Sequence, residues 1–245
     1  MKIVVKETEQ EASSYVAEII GTALREKPEL SLSLPTGSTP VHVLEDLVRK
    51  HHEEGLSFAK ALLFNMDEYL GLGRNHPQGY YHFLDELLYS QVDVDRARTF
   101  APDALDPVPE HAAAAYTKLI QDAGGFDLIF LGIGRDGHIC FNMPADSLHP
   151  YTHLERLSEK TVADNARLFD DASEVPTHAI TIGLKLVLDS RKIVLLATGS
   201  GKNDIVRELL ASESITTQLP ASFLRLHDDV TIVLDAAAAA GIELA

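Results

Sequence analysis

Short runs of nearly all-apolar residues recur along this 245-residue chain, and stretches with helical periodicity lie between them. The runs fall at 2–5, 30–34, 61–66, 126–132, 179–182, 193–197 and 230–234. Most lack polar alternation, which predicts strands covered on both faces of a parallel sheet. In the first intervening stretch Ala12, Tyr15, Val16, Ile19, Ala23 and Leu24 share one face at the 3.6-residue period. Further helices are predicted near 40–52, 80–88, 111–122, 182–188 and 202–211, and the alanine run 236–240 predicts a short C-terminal helix. Strand–helix alternation of this kind specifies an α/β, Rossmann-like three-layer fold with a mostly parallel sheet. No repeat, low-complexity tract or linker interrupts it, so residues 1–245 are expected to form a single domain.

The charge balance narrows the function classes. The chain carries 21 Lys+Arg against 37 Asp+Glu, a formal net charge of −16. Such acidity speaks against a broad nucleic-acid-binding surface. The one cysteine cannot form an internal disulfide, which suits the reducing cytoplasm. Met1 leads into Lys2-Ile3-Val4-Val5-Lys6 without the apolar core of a signal peptide. No apolar run approaches the roughly 20 residues of a membrane span, so no membrane association is expected. A phosphate-bearing ligand would need a local exception to the acidity.

In α/β sheets, ligands bind beyond the carboxyl ends of the strands, which directs attention to four loops. Leu34-Pro35-Thr36-Gly37-Ser38-Thr39-Pro40 follows a strand and opens a helix. Free amides at a helix start, with the Thr36, Ser38 and Thr39 hydroxyls, form a phosphate cradle. The same residues also read as a plain turn, with Thr39 capping and Pro40 in the first helical position. Phe64-Asn65-Met66-Asp67-Glu68-Tyr69 ends a strand with two carboxylates. They suit a general base if partly buried, or a solvated pair otherwise. The third loop, Gly132-Ile133-Gly134-Arg135-Asp136-Gly137-His138, fits G-x-G-x-x-G. It lies mid-chain and runs into Pro144, which excludes the long helix of a dinucleotide site. What remains is a glycine-rich loop presenting Asp136 beside His138, a pair that orients an imidazole or simply forms a turn. The fourth loop, Thr198-Gly199-Ser200-Gly201-Lys202-Asn203, fails as a Walker A motif, because Leu196 and Asn203 stand where Gly and Ser/Thr are needed. Lys202 still suits a sugar phosphate, or is a surface lysine. The remaining histidines lack metal-ligand spacing on a helix, since Pro150 interrupts His149 and His153, and no metal site is expected.

These loops resemble those of the glucosamine-6-phosphate deaminase family, which shares a superfamily with 6-phosphogluconolactonases. L-P-T-G-[GS]-T-P matches residues 34–40 and F-N-[ML]-D-E-Y-x-G-L matches 64–72. H-P-x-S-Y-Y matches 76–81, with Gly79 in the Ser position, and G-x-G-x-D-G-H-I-[AG]-F-N-E-P matches 132–144 except at two residues, Cys140 and Met143. Residues 175–183 and 220–227 resemble two further family motifs. The resemblance spans nearly the whole chain and implies roles position by position. Thr36, Gly37 and Ser38 would lie in the phosphate loop, with Arg167 and Lys202 holding the phosphate. Asp67 would be the base moving a proton from C2 to C1. His138 would open the pyranose ring, oriented by Asp136. The implied reaction takes glucosamine 6-phosphate and water to fructose 6-phosphate and ammonia, with no metal or organic cofactor.

One departure stands out. The family has Glu, paired with the loop histidine, where this chain has Met143. Without it, His138 lacks one carboxylate that favours imidazolium. Slowed ring opening, a different substrate such as galactosamine 6-phosphate, or a neutral swap covered by Asp136 all follow as readings. So does 6-phosphogluconolactonase activity, with His138 as base for water, although the Asp67–Leu72 pattern fits the deaminase branch. A non-catalytic sugar-phosphate-binding protein is the reading from a different class. Allosteric members of the family bind an acetylated sugar phosphate just after the Glu-Pro motif. Here Asp146 and Glu155 would repel a phosphate, so no such activation is expected. The short C-terminus predicts a monomer or small homo-oligomer.

Overall fold

The computed structural model describes residues 1–158, 162–163, 166, 169, 171 and 174–243. In chain order the elements are β1 (Lys2–Lys6), α1 (Glu9–Glu26), β2 (Ser31–Leu34), α2 (Val41–Glu54), β3 (Leu62–Asn65), β4 (Asp67–Tyr69), α3 (Tyr80–Leu84), β5 (Thr99–Phe100) and α4 (Pro109–Asp122). They continue with β6 (Leu128–Leu131), β7 (His153–Arg156), β8 (His178–Thr181), α5 (Leu184–Leu188), β9 (Ile193–Ala197), α6 (Asn203–Ala211) and β10 (Val230–Asp235).

Seven strands form one sheet in the order β1-β10-β9-β6-β2-β3-β5, every pairing parallel. Alternate side chains of its strands enter two different cores, as the pleat dictates. Leu128, Phe130, Val194, Leu196 and Val233 pack with α1 and α2. Ile129, Leu131, Ile193, Leu195, Ile232 and Leu234 pack with α4, α5 and α6 on the other face. This is the expected three-layer α/β arrangement, and it explains why the strands read as continuous apolar runs. Local signals start and stop the helices. Thr8 Oγ1 caps α1 by accepting from Glu11 N at 3.1 Å. Gly55, at φ 70°, closes α2 in the left-handed conformation.

The chain moves outward from β2 to β3 in one direction and from β6 to β9 in the other, while β2 and β6 are neighbours. A crevice therefore opens at the carboxyl ends of β2 and β6, where α/β sheets bind ligands.

The structure corrects several sequence expectations. Residues 179–182 do not join the parallel sheet: β8 is the middle strand of a separate antiparallel sheet, β4-β8-β7. Strands β4, β5 and β7 carried too little apolar patterning to be read. The run 236–240 forms turns instead of a helix, held by the Asp235 carboxylate, which accepts from Ala238 N at 2.8 Å. The helix expected at 80–88 is one α-turn followed by a π-turn over Asp85–Tyr89.

Candidate functional site

Loops from β2, β6 and β9, three adjacent strands, meet the small sheet around a cavity of about 350 Å³. Thr36, Gly37, Ser38, Thr39, Asp67, His138 and Lys202 all line it, joined by Arg135, Tyr80, Cys140 and Phe141. Residues more than 160 positions apart are brought together only by the sheet order.

The loop after β2 leaves its helix start open. Gly37 takes φ 96°, a left-handed value that favours glycine. The N-cap of α2 is Pro40, with no side-chain cap, so the helix begins at Val41 and Thr39 does not cap it. The leading amides thus lack a side-chain acceptor, and the Thr36, Ser38 and Thr39 hydroxyls face the same cavity. That is the condition for binding an anion at a helix start.

Asp67 owes its position to a change of sheet. β3 ends at Asn65, Met66 O accepts from Ile182 N at 3.0 Å, and the next residue pairs with Thr181 in the antiparallel sheet. Asp67 is only 7 % exposed. Among the described residues no donor reaches its carboxylate. Burial, with the Glu68 charge a lesser cause, pushes it up to about 8. Glu68, one residue on and on the opposite face of β4, has the opposite fate. Its carboxylate accepts from Tyr69 N at 2.9 Å, Tyr80 N at 2.8 Å and Tyr81 N at 2.7 Å. Burial still outweighs these donors and raises it. Glu68 thereby fixes the start of α3 and places the Tyr80 ring, which stacks on Phe141 with planes 9° apart, in the cavity wall.

The loop after β6 is built to aim one imidazole. His138 Nδ1 lies 2.6 Å from Asp136 Oδ1, and the same oxygen accepts from His138 N at 3.3 Å. A Cβ on Gly134 would collide with the His138 ring and the Asp136 carboxylate, so the loop needs a glycine there. No helix follows Gly137, in line with the rejection of a dinucleotide site. Beyond it, Asn142 Nδ2 donates to Ile139 O at 3.1 Å and Ile182 O at 2.9 Å, pinning the loop. Met143 is half-buried and does not line the cavity. Among the described residues Asp136 is the one carboxylate paired with His138. Cys140 sits against Met66 Sδ at 3.6 Å, and burial pushes its thiol well up, so it offers no thiolate.

Lys202, at the end of the loop after β9, donates to Ile133 O at 2.6 Å and lines the cavity. Burial first, then the Arg135 charge, holds its ammonium below the usual lysine range. Arg167 lies outside the described residues. His149 and His153 stack with ring centroids 4.3 Å apart, away from this cavity. Arg135, Tyr80 and Glu68 were not assigned from sequence. Arg135 stood visible between Gly134 and Asp136, but the side of the loop it would take was not readable.

Fold and site together define an α/β protein with its crevice at the strand switch, one wall cationic and rich in hydroxyls, the other carrying a buried acid and an aimed imidazole. The sequence profile of the family described as glucosamine-6-phosphate isomerases/6-phosphogluconolactonase matches residues 5–233. A glucosamine-6-phosphate deaminase from Clostridium perfringens is 39% identical over 239 residues, 98% of this chain and 98% of its own. A solved structure of a monomeric glucosamine-6-phosphate deaminase superposes with a TM-score of 0.92 at 38% identity, covering 98% of this chain and 99% of that one. A 6-phosphogluconolactonase from Trypanosoma cruzi shares the fold, with a TM-score of 0.77 at 21% identity over 99% of this chain and 97% of that one. The chain belongs to the family of glucosamine-6-phosphate isomerases and 6-phosphogluconolactonases.

Proposed function

We propose that this protein is a glucosamine-6-phosphate deaminase, converting glucosamine 6-phosphate and water to fructose 6-phosphate and ammonia. The observation that carries the reading is the buried Asp67 carboxyl, without a hydrogen-bond donor among the described residues and pushed up to about 8, in one cavity with His138, which pairs with Asp136, and the hydroxyl-lined helix start. A general base works best when its pKa lies near the operating pH. The phosphate lies against residues 36–39 and Lys202. His138, oriented by Asp136, moves the ring-oxygen proton and opens the pyranose. Asp67 then takes the C2 proton and returns it to C1, and ammonia leaves C2 as water adds. Similarity to named deaminases over nearly the whole chain supports this choice within the family.

Incubation with glucosamine 6-phosphate in deuterated water tests it. Ammonia and fructose 6-phosphate should appear together, with deuterium at C1 of the product, and Asp67→Asn should abolish both. Absence of ammonia under these conditions refutes the reading.

A second reading, 6-phosphogluconolactone hydrolysis, is favoured by one observation: with Met143 off the cavity, His138 has the single carboxylate partner that a water-activating imidazole requires. Lactone hydrolysis without ammonia release would select it, and turnover of galactosamine 6-phosphate in preference to its epimer would instead move the substrate. We further propose that residues 1–245 act as one domain, in the cytoplasm, as a monomer or small homo-oligomer. The solved relative is itself described as monomeric. Among the described residues no helix is long and apolar enough to cross a membrane, and the net charge of −16 disfavours nucleic acid.

A further inference from the structure

The roles proposed above leave one cation of the cavity wall, Arg135, unused. Arg135 projects from the loop after β6 toward the turn after β9, and its guanidinium lies against Gly201. A Cβ built on Gly201 would stand 2.9 Å from Nη2, 3.4 Å from Cζ and 3.5 Å from Nε. Arg135 lines the same cavity as residues 36–39 and Lys202. Its neighbour Asp136 is engaged with His138 at 2.6 Å. Among the described residues no hydrogen bond or ion pair occupies the guanidinium. It is also close enough to Lys202 that its charge weakens proton binding there, second only to burial. Two cations sharing a wall repel each other unless an anion lies between them. A planar guanidinium beside an ammonium suits the three terminal oxygens of a phosphomonoester, the first binding in a fork and the second as a point charge.

We propose that Arg135 is a ligand of the substrate phosphate, completing the cradle with Lys202 and residues 36–39, and that Gly201 is the residue that leaves room for it. This assignment rests on the proposed function only in taking the anion to be a sugar phosphate. A methyl group at Gly201 would force the guanidinium to shift from its present place.

Two measurements test the assignment: inorganic phosphate affinity by calorimetry, and steady-state kinetics with glucosamine 6-phosphate. Arg135 is exposed on the loop, so Arg135→Ala should fold normally. Loss of one hydrogen-bonded ion contact predicts a rise of roughly ten- to hundredfold in both the phosphate Kd and the KM, with kcat changed less than about threefold. Arg135→Lys should recover part of the loss. Gly201→Ala should weaken phosphate binding in the parent chain and add nothing in the Arg135→Ala background. A phosphate Kd unchanged in Arg135→Ala overturns the assignment. If the parent chain fails to turn over glucosamine 6-phosphate while Arg135→Ala still loses phosphate affinity, the substrate reading fails and the assignment of Arg135 stands.

Discussion

The seven-stranded sheet and the three-stranded sheet treat charge in opposite ways. In the parallel sheet the central strands β6 and β9 are wholly apolar and buried, and the chemistry is confined to the loops beyond them. In the small sheet β4 reads Asp67-Glu68-Tyr69, and all three residues are buried. The large sheet gives the site its loops and an uncapped helix start; the small sheet gives it an acid buried from water. Within β4 the contrast recurs between neighbours. Glu68 holds three backbone amides and is a structural group, whereas Asp67 holds none and is left reactive.

Removing the unpaired acid should have the largest effect on catalysis. Asp67→Asn should lower kcat by about 10²- to 10⁴-fold, the range for a lost general base. In the parent enzyme kcat/KM should rise with pH through a limb near 8, because the base form of Asp67 appears there. Stability should follow the opposite sign. The folded carboxyl titrates at about 8 instead of 3.8, so its contribution to stability is full below about pH 4 and is lost as the pH rises through 8. Asp67→Asn escapes that loss. Thermal melts from pH 4 to 9 should therefore show the variant gaining on the parent as pH rises. A variant that loses ground with pH would refute the unpaired-acid description.

The partner test moves stability instead of chemistry. Glu68→Ala strips the acceptor from three buried amides and should cost about 3 kcal/mol or more. In a chain of this size that is a fall of roughly 6–12 °C in Tm. Phe130→Ala, in the fully buried core of the large sheet, should cost a similar 3–5 kcal/mol. The two variants differ in what survives. Activity per folded molecule should persist in Phe130→Ala but fall in Glu68→Ala, because Glu68 sets Tyr80 in the cavity wall. Equal activities would erase the distinction between the sheets.

On the cationic wall the expected loss is in binding. Lys202→Ala should raise KM roughly ten- to hundredfold with a smaller change in kcat, as removal of a charged phosphate contact predicts. A KM unchanged by this substitution would place the phosphate elsewhere.

The two sheets also differ in how far the sequence reveals them. Runs such as 193–197 announce a strand because both faces are buried in apolar cores. Asp67 and Glu68 look like a solvated loop, since their burial depends on β8, which pairs with them from more than 100 residues away. That the glycine loops line one cavity agrees with their reading from sequence, because strand ends and glycines are local signals. Arg135 was not legible, because its guanidinium lies against Gly201, on a different strand's loop, a proximity that only the fold creates. The alanine run misleads for a related reason: the buried Asp235 carboxylate takes the Ala238 amide, and residues 236–241 form turns.

The smallest expected effect tests whether Asp67 and the Asp136–His138 pair are enough. Met143 follows Asn142, whose amide is tied to Ile139 O and Ile182 O, so the backbone at 143 is held on the loop that presents His138. Met143→Glu installs the carboxylate that the resemblance to the family motif implies at this position. A second carboxylate on this loop would add a group able to hold the His138 ring toward the sugar ring oxygen. Asp136 already holds the ring at 2.6 Å, and Met143 does not line the cavity, so ammonia release from glucosamine 6-phosphate should rise only about two- to tenfold. Most of the gain should come in kcat, because ring opening precedes the proton transfer by Asp67 and does not involve the phosphate wall. No gain would mean that Asp136 alone suffices and that Met143 does not limit ring opening. A gain confined to KM would mean that position 143 acts on sugar binding, as a change of substrate would require.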